Sequence, residues 1–184
     1  MRQSIVKLIH KYGPPRLIPI IEQNSKESLL LRTKKVADDQ IPIGKTMIGG
    51  RPDLPEHIDW PIWKELPLSF VAQINLIDLP KQKFLNILPS KGVLSFFFSW
   101  NSETWAFDPK NKDSWKVFYF DEQKLQRRDY PPNFPDEGRF ASCAVEFQNT
   151  VTIPELESPY IKYDFSKALK GEVDQWVELR EHLR

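Results

Sequence analysis

Residues 68–76 read LSFVAQINL, and in them Leu68, Phe70, Ala72, Ile74 and Leu76 alternate with Ser69, Val71, Gln73 and Asn75. A period of two is that of a β-strand, here with one fully apolar face and one mostly polar face that meets water or a ligand. The same kind of run recurs at 92–99 (GVLSFFFS), 114–120 (SWKVFYF) and 143–152 (CAVEFQNTVT), separated by segments rich in Asn, Asp and Pro. Short strands in succession with turn-forming residues between them predict a meandering, mostly antiparallel sheet.

Outside the sheet, Ile5, Leu8, Ile9 and Tyr12 follow helical spacing until Gly13, Pro14 and Pro15 stop the pattern. At the other end Ala168, Leu169, Val173, Trp176, Val177 and Leu183 mark a second amphipathic helix with Trp176 as its largest anchor. The fold class is therefore α+β, a single domain over 1–184 with short amphipathic helices near both termini. Between the first helix and the sheet, RLIPII (16–21) and SLLLR (28–32) flank the polar stretch 23–26 and read as a hairpin whose first strand, carrying Pro19, prefers an edge. Lys45 to Ile48 form a brief strand. From Gly49 to Pro61 the glycines and prolines predict a structured loop without regular elements, and 129–138 (DYPPNFPDEG) a stiff surface strap.

The 184 residues suffice to bury about 70% of the surface of the unfolded chain. Lys and Arg number 26 against 25 Asp and Glu, a formal net charge of +1, which supplies no field for a polyanion or an anionic membrane. No apolar run approaches the ~20 residues of a membrane span, and Met1 to Tyr12 lack a signal-peptide core, so a soluble, cytoplasmic protein is expected. One cysteine, Cys143, excludes an intrachain disulfide framework and a multi-thiolate zinc site within one chain. Its place in a strand pattern with Val145 and Phe147 predicts a buried, inert thiol.

Several chemical motifs fail on inspection. Gly44-Lys45-Thr46 resembles the end of a phosphate loop, yet Asp39 stands where the first glycine belongs and Pro42 interrupts the loop. His10, His57 and His182 lack metal-ligand spacing, and no nucleophile elbow is present, so neither metal nor cofactor is expected. Lys34-Lys35 and Arg127-Arg128 are basic pairs with acidic neighbours and read as solvated faces, which argues against nucleic acid.

Three features survive. In IGGRPDLPEHIDWP (48–61) the prolines hold Arg51, Asp53 and Trp60 in a defined geometry, as a recognition surface or as a cap over the sheet with Trp60 as its plug. Gln73 and Asn75 can fix a ligand with their amides or hydrogen-bond that same loop. Trp100, Trp105, Phe107 and Trp115, around Asn101 and Asp108, can line a cleft or pack as core.

The order IGGRPDLPEHIDWP, PLSFVAQINLIDLP, LPSKGVLSFFFS, WAFDPKNKDSWKVFYF resembles the YwqG-like family of bacterial proteins, a domain of unknown function, over about 48–120. The pieces RRDYPPNFPDEGRFA and FQNTVTIPELES are similar to it more loosely. The resemblance implies an α+β fold with much antiparallel sheet, in agreement with the strands above. Longer members continue past the equivalent of the C-terminal helix, so the chain resembles a shortened version. A site needing both portions would be lost, completed in a homodimer, or placed on another surface. The family lends no catalytic residues.

Two functions compete. The leading expectation is a non-catalytic binding or interaction module for a protein partner, of an immunity-type or regulatory kind, using Arg51 and Trp60. The alternative is a small-ligand binder or hydrolase-like enzyme. Its pocket would lie between the 48–61 loop and strand 68–76, with Arg51 holding an anion and Asp53 or Asp108 as a base.

Overall fold

A computed structural model describes residues 3–100, 108–121, 124–159, 161, 167 and 169–183. Residue contacts divide the chain into two compact units, 1–30 with 148–184, and 31–147.

The larger unit is built on a mostly antiparallel sheet. Strands β1 (Lys26–Lys35), β2 (Met47–Ile48), β6 (Ser69–Asn75), β7 (Val93–Phe98), β8 (Trp115–Phe120) and β10 (Cys143–Thr152) lie in the order β1-β10-β2-β6-β7-β8. β1 and β10 have residues in both units. Two short ribbons accompany the sheet, β3 (Asp53–Leu54) with β9 (Gln126–Arg127) and β4 (Ile62–Trp63) with β5 (Leu66–Pro67). The α+β class with its mostly antiparallel sheet is thus realised, and the meander is β6-β7-β8. One short strand, β3, occupies part of the loop from Gly49 to Pro61, where no regular element was expected, because Asp53 and Leu54 find partners in distant 126–127.

β6 departs from its sequence pattern in an instructive way. Phe70 pairs with Phe97 and Ala72 with Phe96, so Val71 is an extra residue and the ladder carries a bulge there. An extra residue reverses the inside-outside phase beyond it. Phe70 and Gln73 therefore share the buried face with Phe97, Ser95 and Val93, while Ala72 and Ile74 turn to the opposite face beside Phe96 and Leu94. The expected apolar face is apolar only up to the bulge, and Gln73 is fully buried instead of meeting water. Met47, Leu54, Leu68, Phe70, Phe97 and Phe120 form the centre of this unit's core.

In the smaller unit, α1 (Gln3–Tyr12) contributes Ile9 and α3 (Glu172–His182) contributes Trp176 and Leu179 to a core shared with Leu17 and Ile21. The predicted strand at 16–21 is instead the start of α2 (Ile18–Asn24). Pro19 lies in its first turn, where the missing N–H costs nothing and the fixed φ favours a helix. α3 buries Glu172, Trp176 and Leu179, whereas Val173 and Val177 are exposed. Glu172 is buried because Arg16 clamps it at 2.9 and 2.7 Å. Ala168 of the predicted helix lies outside the described residues.

Candidate functional site

The 48–61 loop leaves β2 through Gly49 and Gly50, with φ of +64° and +73°. A side chain at Gly50 would meet Asp38 Oδ1 at 2.2 Å, so the bare backbone is what lets Asp38 come in. Asp38 Oδ2 accepts from Arg51 Nε at 2.8 Å, and Arg51 Nη1 donates to Asp129. The bond with Asp38 raises the Arg51 pKa above its ordinary value, against a smaller effect of burial, with Asp129 adding to the rise. Arg51 is thus held between two carboxylates and bridges the loop to the 129–138 strap.

Asp53 is the hub of the arrangement and is fully buried. Arg127 Nε donates to its Oδ1 at 2.6 Å, while Gly44 N and Gln73 Nε2 donate to Oδ2 at 2.8 and 2.7 Å. Gln73 Oε1 accepts from Asp53 N at 2.9 Å, and Gln73 Nε2 also reaches Lys45 O at 2.8 Å. The remaining Arg127 nitrogens donate to Asp38 O and Ile41 O at 2.6 and 3.0 Å. Asn75 Nδ2 donates to Gly44 O at 2.7 Å, and Asn75 N to Thr46 Oγ1 at 3.0 Å. Segments 38–46, 53–54 and 126–127 are in this way fastened to β6. A carboxylate with both oxygens engaged by fixed donors crosslinks loops; it is poorly placed to take a proton from a substrate.

Trp60 Nε1 donates to Leu68 O at 2.7 Å, and its ring lies 5.7 Å from Phe97, 5.7 Å from Tyr130 and 5.5 Å from Phe134. It packs as a plug between sheet and strap. Burial pushes the Tyr130 phenol up, and the nearby Asp38 charge adds to this. The hydroxyl donates to Gly50 O at 3.0 Å.

Arg51, Asp53, Gln73 and Asn75 thus belong to one connected network, in which the Asp53–Gln73 bonds join the 48–61 loop directly to β6. Asp108 stands in a separate turn, where its Oδ1 accepts from Lys110 N at 2.9 Å. Trp105, Phe107 and Asn101 lie outside the described residues. Cys143 is half-buried, not fully buried as its strand pattern suggests.

Sequence reasoning missed Arg127 and Arg128. Both were read as a solvated pair, yet the Arg127 side chain is only 11% exposed and Arg128 Nη1 donates to Pro55 O, Glu56 O and Ile58 O at 3.1–3.3 Å. Asp78 was missed as well. Its carboxylate accepts from Lys45 Nζ at 2.7 Å, Thr46 N at 3.0 Å and Thr46 Oγ1 at 3.1 Å. Burial pushes this carboxyl up, but Lys45 and the Thr46 donors outweigh it and hold the pKa below the usual carboxylate range. Among the described residues no group of three or more His, Cys, Asp or Glu is placed to hold a metal ion, and no helix is long and apolar enough to cross a membrane.

The unassigned surface lies on the sheet. Across β7 and β8, Phe96 faces Val117, Phe98 faces Trp115 and Leu94 faces Tyr119. With Val71 and Phe140 most of these residues line an apolar groove of about 470 Å³. Trp115, Val117, Tyr119 and Phe140 remain 47, 42, 46 and 42% exposed. Large apolar side chains this open and this contiguous exceed what scattered surface hydrophobics need.

No curated protein matches the chain. A family model described as Domain of unknown function (DUF1963) matches residues 46–182, a span that opens at Thr46, the partner of Asn75 and Asp78, and includes every strand from β2 to β10, and the chain belongs to that family.

Proposed function

We propose that this chain is a non-catalytic protein-interaction module of a cytoplasmic, bacterial, YwqG-like protein, with an immunity-type or regulatory role. The observation that carries the reading is the apolar groove of Val71, Phe96, Phe98, Trp115, Val117 and Phe140 on the β7–β8 side of the sheet. Division of labour supports it: Arg51, Asp53, Gln73 and Arg127 spend their charges and amides on one another, while the groove's side chains keep surface for a partner. Interface cores have this composition, aromatic and poor in charge. The partner is a protein presenting apolar side chains to the groove. The free thiol of Cys143 is consistent with a reducing compartment.

The test is capture from native lysate with tagged protein, comparing wild type with Phe140→Ser and Val71→Ser. The reading expects one stoichiometric companion, lost in both variants while the circular dichroism spectrum is unchanged. A companion retained by both variants, or none for the wild type, refutes it. Arg51→Ala distinguishes the earlier candidate surface, and here it should leave capture intact.

A further inference from the structure

We infer that the outer edge of β8 pairs with the same edge of a second copy of this chain, antiparallel about a two-fold axis at Val117. The inference rests on the interaction reading only in treating the β7-β8 side of the sheet as a contact surface.

β8 is the last strand in the sheet order, so one of its edges has no neighbour among the described strands. Ser99 N donates to Ser114 O at 2.8 Å, and with the register Phe98–Trp115 through Val93–Phe120 this fixes the hydrogen-bond phase. Lys116, Phe118 and Phe120 turn their backbone groups toward β7, as does the Ser114 carbonyl, while Ser114 N donates to Asn111 O. Trp115, Val117 and Tyr119 therefore point N–H and C=O outward. These are the residues whose side chains are exposed on the sheet face. Edge strands are ordinarily guarded by charge, proline or a bulge. The opposite edge, β1, has Lys26, Glu27, Arg32, Lys34 and Lys35; β8 has Lys116 alone, and its ammonium lies 5.8 Å from the Phe118 ring.

The sequence WKVFYF is self-complementary in one register. With Val117 opposite the second copy's Val117, Trp115 falls opposite its Tyr119, and every outward N–H and C=O of the three residues gains a partner. On the other face Lys116 falls opposite Phe118, repeating across the interface the cation–ring contact already present within the strand. Beyond the strand Asp113 comes opposite Asp121, whose charge Lys91 neutralises at 2.9 Å. Shifting the axis to Lys116 sets two lysines against each other, and shifting it to Phe118 leaves Trp115 opposite Asp121. Tyr119 is fixed for its part: its hydroxyl donates to Lys91 O at 3.2 Å, and a Cβ at Gly92 would come within 2.6 Å of its ring.

The experiment is sedimentation of the purified full chain, alone, over a range of concentrations. The expected result is a dimer that dissociates on dilution. Val117→Pro removes an outward N–H and leaves the β7 ladder whole, so the dissociation constant should rise about tenfold or more. Lys34→Ser, on the opposite edge strand β1, should leave it unchanged. Trp115→Lys and Tyr119→Glu should each weaken the dimer, and the double variant should recover it, since opposite charges then meet across the axis. A chain that stays monomeric at every concentration overturns the inference, as does a dimer indifferent to Val117→Pro in a folded variant, or a double variant no tighter than either single one. Because no other protein is present, these outcomes are independent of lysate capture.

Discussion

Replacing Arg127 with Met separates a buried charge network from ordinary surface pairing. The substitution keeps an unbranched apolar stem and removes the guanidinium, and with it the bond to Asp53 Oδ1 at 2.6 Å and those to Asp38 O and Ile41 O. Asp53 has no exposure to water with which to replace them. It keeps only Gly44 N–H and the Gln73 amide as donors. Removing one member of a buried ion pair costs about 3–5 kcal/mol, because the other is left charged and under-solvated. That is a large part of a total stability on the order of 10 kcal/mol. Arg51→Met is the comparison. Its side chain is 34% exposed and one partner, Asp129, is 87% exposed, so screening by solvent limits the loss to about 1 kcal/mol. Urea unfolding followed by tryptophan fluorescence measures both, since Trp60 reports on the junction of sheet and strap. Arg127→Lys keeps the charge without the fork and should fall between them. If Arg127→Met costs no more than Arg51→Met, Asp53 is not the buried hub described above and the reasoning fails.

Asp78 should impose an acid dependence on stability. Its pKa is held below the unfolded value, so its contribution is complete above about pH 5 and is lost as pH falls through the folded value. Urea midpoints from pH 7 to 2 should therefore fall less steeply in Asp78→Asn than in wild type, and parallel curves would contradict this. At Gly49 an added Cβ would lie 2.2 Å from Ala141 O, a backbone atom, at φ +64°, whereas at Gly44, φ +79°, the nearest atom is Leu125 Cδ1 at 3.7 Å. Gly49→Ala should thus lose about 2–3 kcal/mol and Gly44→Ala about 1, from left-handed strain alone, and equal losses by calorimetry would remove the steric argument.

The sheet was legible because alternation is local: strands β7, β8 and β10 lie where their periodicity puts them. Trp60 was legible as a plug, since a large indole locked between prolines has few other uses. The inside-outside assignment in β6 was not, because one residue inserted at Val71 flips the phase and no composition signal marks it. Helix α2 was misread because Pro19 suits an edge strand and a first helical turn alike. Arg127 escaped because its partner Asp53 is 74 residues away, and the charges around it resemble those of any exposed basic pair. At the candidate site, Gln73 and Asn75 were found by residue type. That their amides hold a loop depends on where segment 38–46 returns, which no single stretch of sequence encodes.

The separation of Asp53 from Arg127 also orders events in time. β6, β7 and β8 are consecutive, so their pairings close short loops, whereas the hub can form only after a 74-residue excursion has been brought back. Long closures carry the larger entropy and come after the local meander has collapsed. The network at Asp53 is then a latch that snaps shut on an existing sheet. Weakening it should leave the rate of folding nearly intact and hasten unfolding, so the lifetime of the native state, more than its rate of formation, is set by one buried carboxylate.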